Sequence, residues 1–161
     1  EAKNAIFRIN RDIRFSKDKT PYKTNVSAII SPGGRKDKTT PGLYFELSAE
    51  RLRIYGGMYM ADKDQLQYLR EEIADNLDEF NAIITNKNFV SHYGKIHGEA
   101  AKRIPKDLKE AVAKQPLIMN KQFYYFAELP SKTILKNELP AIIMEYYEAG
   151  RPMMDFLKRG L

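Results

Sequence analysis

Two-residue alternation of apolar and polar side chains runs through the first sixty residues of this chain, and helical spacing takes over for most of the rest. Phe7, Ile9, Ile13 and Phe15 alternate with Arg8, Asn10, Asp12 and Arg14, which predicts a half-buried strand over 6–15. Asn25–Ser31 reads as a second strand, closed by Pro32-Gly33-Gly34, with an exposed loop from Pro32 to Gly42. A hairpin follows. Leu43, Phe45 and Leu47 alternate with Tyr44, Glu46 and Ser48; beyond Ala49–Arg51, Leu52 and Ile54 alternate with Arg53 and Tyr55. Gly56-Gly57 interrupts the returning strand, which implies a bulge or the close approach of another backbone, and Met58–Met60 resume it.

From Asp62 the period changes. Asp62 with Gln65 makes a capping box ahead of Leu66, Leu69, Ile73 and Leu77. Asn76 with Glu79 reads as the next cap, leading into Phe80, Ile83 and Ile84. Pro105 suits the first turn of a helix containing Leu108 and Val112. One late strand is expected at residues 122–129. Pro140 opens a last helix, and Pro152 a short continuation to Leu157. Strands gathered first and helices after give an α+β class: a mostly antiparallel sheet from the N-terminal half plus a late strand, packed against C-terminal helices.

The 161 residues fit a single domain over 1–161. Eighteen aromatics (10 Tyr, 8 Phe) exclude disorder as a description of the whole. No apolar run reaches the ~20 residues of a membrane span, so no membrane partner is expected. The absence of Cys excludes disulfides and thiolate chemistry. The opening has no secretory signal pattern, making a cytoplasmic location the default, and a strand beginning near Ile6 points to a chain truncated on its N-terminal side.

Charge is the next constraint. Residues 1–38 hold ten Lys/Arg against four Asp/Glu, whereas the other 123 residues balance at 17 of each, so the whole net +6 sits in one segment. Arg8 and Arg14 share a predicted strand face, with Asp12 between them as an orienting carboxylate. Arg11 falls on the apolar face, where a guanidinium needs a carboxylate or an anion. Lys17, Lys19, Tyr22 and Lys23 add donors on the adjoining loop. The functional reading is an anion site built from Arg8, Arg11, Arg14, Lys17, Lys19, Tyr22 and Lys23. The bland reading is an ion-pair lattice, with Arg8 and Arg14 on Asp12 and Arg11 on a carboxylate such as Glu46.

Other motifs carry less. His92 and His97 are five apart and lack metal-ligand spacing, so no metal is expected and surface or helix-end roles are preferred. Ser31–Lys36 lacks P-loop spacing, Gly56-Gly57 fails the dinucleotide pattern, and GxSxG is absent; no cofactor is expected. In Phe123–Phe126, at least two of the four aromatics belong in the core; Tyr124 or Tyr125 could stack a base if displayed on the sheet.

The run FRINRDIRFSKDKTPYKT (7–24) resembles the signature of an uncharacterised family, domain of unknown function 2461. It carries Phe7-Arg8, Arg11-Asp12, the stretch Arg14-Phe15-Ser16-Lys17-Asp18-Lys19, and Pro21-Tyr22-Lys23. The hairpin with Gly56-Gly57, the KRIP at Lys102–Pro105 and RPMMDFL (151–157) resemble the family's layout as well, so the likeness spans nearly the whole chain. The family's usual N-terminal helical segment with a Trp-Phe pair has no counterpart here, and the resemblance implies no activity.

The expected function is therefore binding of a small or phosphorylated anionic ligand through residues 8–23. The alternatives are a nucleic-acid module, whose affinity would fall steeply with salt, and a non-catalytic structural or protein-interaction domain whose arginines only knit the fold. Whether a reaction is catalysed stays open, because Asp12, Asp18 or Glu46 could act as a base only with a raised pKa. Oligomeric state is not legible.

Overall fold

The computed structural model describes residues 2–37 and 40–160. Four antiparallel strands form one sheet in the order β1-β2-β3-β4: β1 (Asn25–Ile30), β2 (Leu43–Ser48), β3 (Arg51–Met58) and β4 (Phe123–Pro130). The hairpin between β2 and β3 closes on Ser48. Its hydroxyl accepts from the Arg51 N–H at 3.2 Å and donates to the Arg51 carbonyl at 3.1 Å, which fixes the register Glu46↔Arg53 and Tyr44↔Tyr55. β4 then pairs with β3 over eight residues, from Arg51↔Pro130 to Met58↔Phe123.

The helices are α1 (Ala2–Ala5), α2 (Lys63–Asp75), α3 (Leu77–Ile84), α4 (Lys87–Tyr93), α5 (Lys109–Lys114) and α6 (Leu139–Leu157). The Asp62 capping box is formed: its carboxylate accepts from the Asp64 and Gln65 N–H groups, and Gln65 accepts from the Asp62 N–H. Asn76 does not cap α3 with its side chain. It donates instead to the Glu72 carbonyl at 3.0 Å, closing α2 from behind. Pro105 caps a 3₁₀ turn (Lys106–Leu108) that leads into α5. Pro152 sits inside α6 rather than opening a second helix, because Met153, Met154, Phe156 and Leu157 all bury on the same core as the preceding turns.

One face of the sheet carries the core. Met58, Phe123 and Tyr125 point there and pack with Leu69, Ile73, Phe80 and Phe156 from the helices, while Leu43, Leu52 and Ile54 form a second cluster with Ile143 of α6. Fully burying side chains of this size stabilises by about 1.5–3 kcal/mol each. Gly56 lies on this face, and a Cβ there would come within 2.6 Å of the Tyr125 ring. The glycine pair therefore marks close approach, and β3 runs through it in full register with β4.

The run at 6–15 is not a strand. Only Ile6 and Phe7 pair with the outer edge of β1, through the Ile6↔Ala28 bridge and the Phe7 N–H to Ser27 carbonyl bond of 2.9 Å. The chain then leaves the sheet and folds back on itself: the Arg11 N–H donates to Pro21 and the Lys23 N–H to Ile9, at 2.9 and 2.8 Å. Its apolar residues gain no core, with Ile9 half exposed and Phe15 95% exposed. Alternation alone cannot make a strand when no ladder partner runs beside it. Of the loop from Pro32 to Gly42, Gly34–Lys36 form a 3₁₀ turn, and Lys38 and Thr39 lie outside the described residues, as does Glu1. No helix among the described residues is long and apolar enough to cross a membrane.

Candidate functional site

The folded-back strap over residues 8–24 is organised by two aspartates. Asp12 accepts from Arg14 Nε at 2.9 Å and Nη2 at 2.7 Å. Asp18 accepts from the Thr20 N–H at 2.9 Å and from Arg11 Nη1. Both carboxyls are held below the usual aspartate range, Asp12 chiefly by its Arg14 hydrogen bond and Asp18 by Thr20 and Arg11. Neither carboxyl has the raised pKa that a general base here would need. Arg11 pairs with Asp18 rather than Glu46, since it stays with the strap instead of entering a sheet. Asp12 pairs with Arg14, and Arg8 acts on Asp12 only through space.

Arg11, Tyr22 and Lys23 converge on one cleft of about 510 Å³, whose inner wall is Ser27 and Tyr44. Arg8, Arg14, Lys17 and Lys19 do not line it. Arg14 is tied to Asp12, and the Lys19 ammonium donates to the Ile13 carbonyl at 2.9 Å. Within the cleft Arg11 also reaches the Thr20 carbonyl with Nη1. Its Nε and Nη2 have no hydrogen-bond partner among the described residues. Two cations and one carboxylate, Asp18, line the cleft.

Beyond Tyr44 lies the sheet face turned away from the helices. Register orders it into rows. Ser27, Glu46, Arg53 and Glu128 cross the four strands in one row, and Ile29, Tyr44, Tyr55 and Phe126 in the next. In the polar row Arg53 Nε donates to Glu128 at 2.8 Å. In the other, Tyr44 and Tyr55 lie 5.8 Å apart and Tyr55 stacks on Phe126 at 5.5 Å. Phe7 of the strap covers one end, edge-on to Tyr44 at 5.7 Å, and His97 covers the other, 4.9 Å from Phe126 and 5.6 Å from Tyr124.

Between these ends is a pocket of about 450 Å³ walled by Tyr44, Tyr55, Tyr59 and Tyr124, with Glu46 and Asp37 among its lining. Gly57 contributes no side chain to it and adopts φ +107°, which lets β3 and β4 meet closely. The Tyr44 hydroxyl donates to Glu46 at 3.2 Å. Burial pushes that hydroxyl above the ordinary tyrosine value, a hydrogen bond with Ser27 works against the shift, and the Glu46 charge adds to it. Tyr44 thus stays a protonated donor and lines both cavities.

Phe123 and Tyr125 are buried in the core while Tyr124 and Phe126 face the open side. Tyr125 is therefore removed from any stacking role, and Tyr124 lies on the open face against His97 and Tyr59. His92 ends α4 and meets Glu145 at 3.2 Å; His97 bridges to the β4 edge. Tyr55, Tyr59 and Ser27 were not legible as site residues. The signal was present in the hairpin, where tyrosine recurs on the face that alternation assigned to water.

A family model described as Conserved hypothetical protein (DUF2461) matches residues 1–156. Among curated proteins and solved structures, nothing matches the chain.

Proposed function

This chain belongs to the DUF2461 family of conserved hypothetical proteins, a membership that names no chemistry, and we propose from its site that it binds a small phosphorylated or carboxylated ligand in the cleft between the strap and the sheet. The observation that carries this reading is the convergence of Arg11, Tyr22 and Lys23 on one cavity. Arg11 keeps Nε and Nη2 for an incoming anion while Asp18 fixes its guanidinium from behind. Such a preset fork suits a phosphate or carboxylate, which it meets with two parallel donors. Lys23 adds charge and Tyr22 a hydroxyl. The remaining basic residues of the strap act on the approach of the anion rather than on its grip.

The ion-pair lattice explains Arg14, which spends two nitrogens on Asp12, but it leaves Arg11 Nε and Nη2 and the Lys23 ammonium without a partner among the described residues. Thermal unfolding with phosphate, nucleotides, sugar phosphates, dicarboxylates and short RNA or DNA tests the reading. A bound ligand at a hundred times its Kd adds about 2.7 kcal/mol. Stabilisation by one class, lost in Lys23→Met and in Arg11→Met, is expected. Equal shifts with every anion would reduce the cluster to scaffolding. A steep salt dependence with preference for RNA or DNA would move the function to nucleic acid.

A further inference from the structure

We propose that the tyrosine-walled pocket on the open sheet face is a subsite for an organic ammonium group, so that the ligand of this site is a zwitterion. The inference rests on the anion reading only for the other end of that ligand.

Charge is the first argument. The chain is basic, and its excess lies in the segment next door, yet the Glu46 carboxylate and no Lys, Arg or His among the described residues lines the sheet side of this pocket. Glu46 is the telling one. Its cross-strand neighbour Arg53 spends Nε on Glu128 and acts on Glu46 only through space, and Glu46 makes no ion pair among the described residues. One hydrogen bond from Tyr44 leaves most of its acceptor capacity facing the cavity.

Ring geometry is the second. Tyr44 and Tyr55 are inclined at 58°, Tyr59 and Tyr124 at 70°. Inclined walls box a compact cation against several ring faces, whereas a planar base needs an open parallel platform. The near-parallel pairs on this face, Tyr55 with Phe126 at 29° and His97 with Tyr124 at 25°, are each spent on one another. Third, Tyr44 lines both cavities, so an ammonium held in the box stands beside an anion held by Arg11 and Lys23.

Calorimetric titration of the full chain tests this with choline, its neutral isostere 3,3-dimethylbutan-1-ol, inorganic phosphate and phosphocholine. Choline is expected to bind at least about tenfold more tightly than the isostere, a comparison that needs no variant. Glu46→Gln should weaken choline about tenfold and leave phosphate unchanged, and phosphocholine should exceed both fragments. Equal binding of choline and isostere, indifference of choline to Glu46→Gln, or no choline binding would each overturn the proposal. Choline binding without phosphate binding would uphold the ammonium subsite and sink the anion reading; phosphate without choline would do the reverse.

Discussion

His97 shows how much one side chain on the open face can report. Its ring lies against Tyr124 and Phe126, and burial, reinforced by Lys95, lowers its pKa below the ordinary 6.5. A histidine with a lowered native pKa binds its proton more readily in the unfolded chain. The folded state therefore carries no penalty above pH 6.5 and loses stability as pH falls from there through the native value. Thermal unfolding at steps between pH 7.5 and 5 should show this decline, and His97→Gln should flatten it; an unchanged slope in the variant would place the titration elsewhere. The sequence offered no hint of this role. Two histidines five apart could be weighed only against metal spacing, and stacking on a strand edge depends on a partner some thirty residues away. Arg11 was different. Its need for an anionic partner was read from an apolar strand face that this run does not form, and the partner itself was not legible, because Asp18 becomes its neighbour only when the strap folds back.

Elements were legible wherever a pattern had a neighbour to act on. The hairpin, the late strand and the capped α2 all repeat their sequence signals in the structure, since each buries its apolar positions against neighbours on the helix-covered side of the sheet. The run at 6–15 carries the same alternation and stays out of the sheet, because β1 offers a ladder to Ile6 and Phe7 alone. Gly57 is the test of the closest inter-strand approach. It holds φ +107°, and an added Cβ would press on the Phe123 carbonyl and come within 2.8 Å of Tyr124 Cα. The backbone term alone costs about 1–3 kcal/mol, and the overlap pushes β4 from β3 in the strand pair that joins the early and late halves. Gly57→Ala should destabilise by at least about 2 kcal/mol in urea unfolding. A loss under 0.5 kcal/mol would mean that the strands separate there at little cost.

At the scale of the whole molecule, stability is unevenly spread, and that unevenness can locate the ligand. The central strands sit between neighbours on both sides and above a core of large side chains, so their amides exchange only on global unfolding. The strap is held by few backbone bonds, Arg11 to Pro21 and Lys23 to Ile9 among them, over largely exposed side chains. Its amides should exchange far faster, through a local opening that leaves the sheet intact. A ligand held between strap and sheet must leave before either opening occurs. Phosphate at a hundred times its Kd should then slow the Arg11 and Lys23 amides by the same factor as those of β3, about a hundredfold. A ligand seated on the sheet alone would slow β3 and leave the strap untouched, because the strap could open with the ligand in place. Hydrogen exchange followed residue by residue reads both factors in one experiment. Equal slowing makes the strap one wall of the site, and slowing confined to β3 removes Arg11 and Lys23 from it.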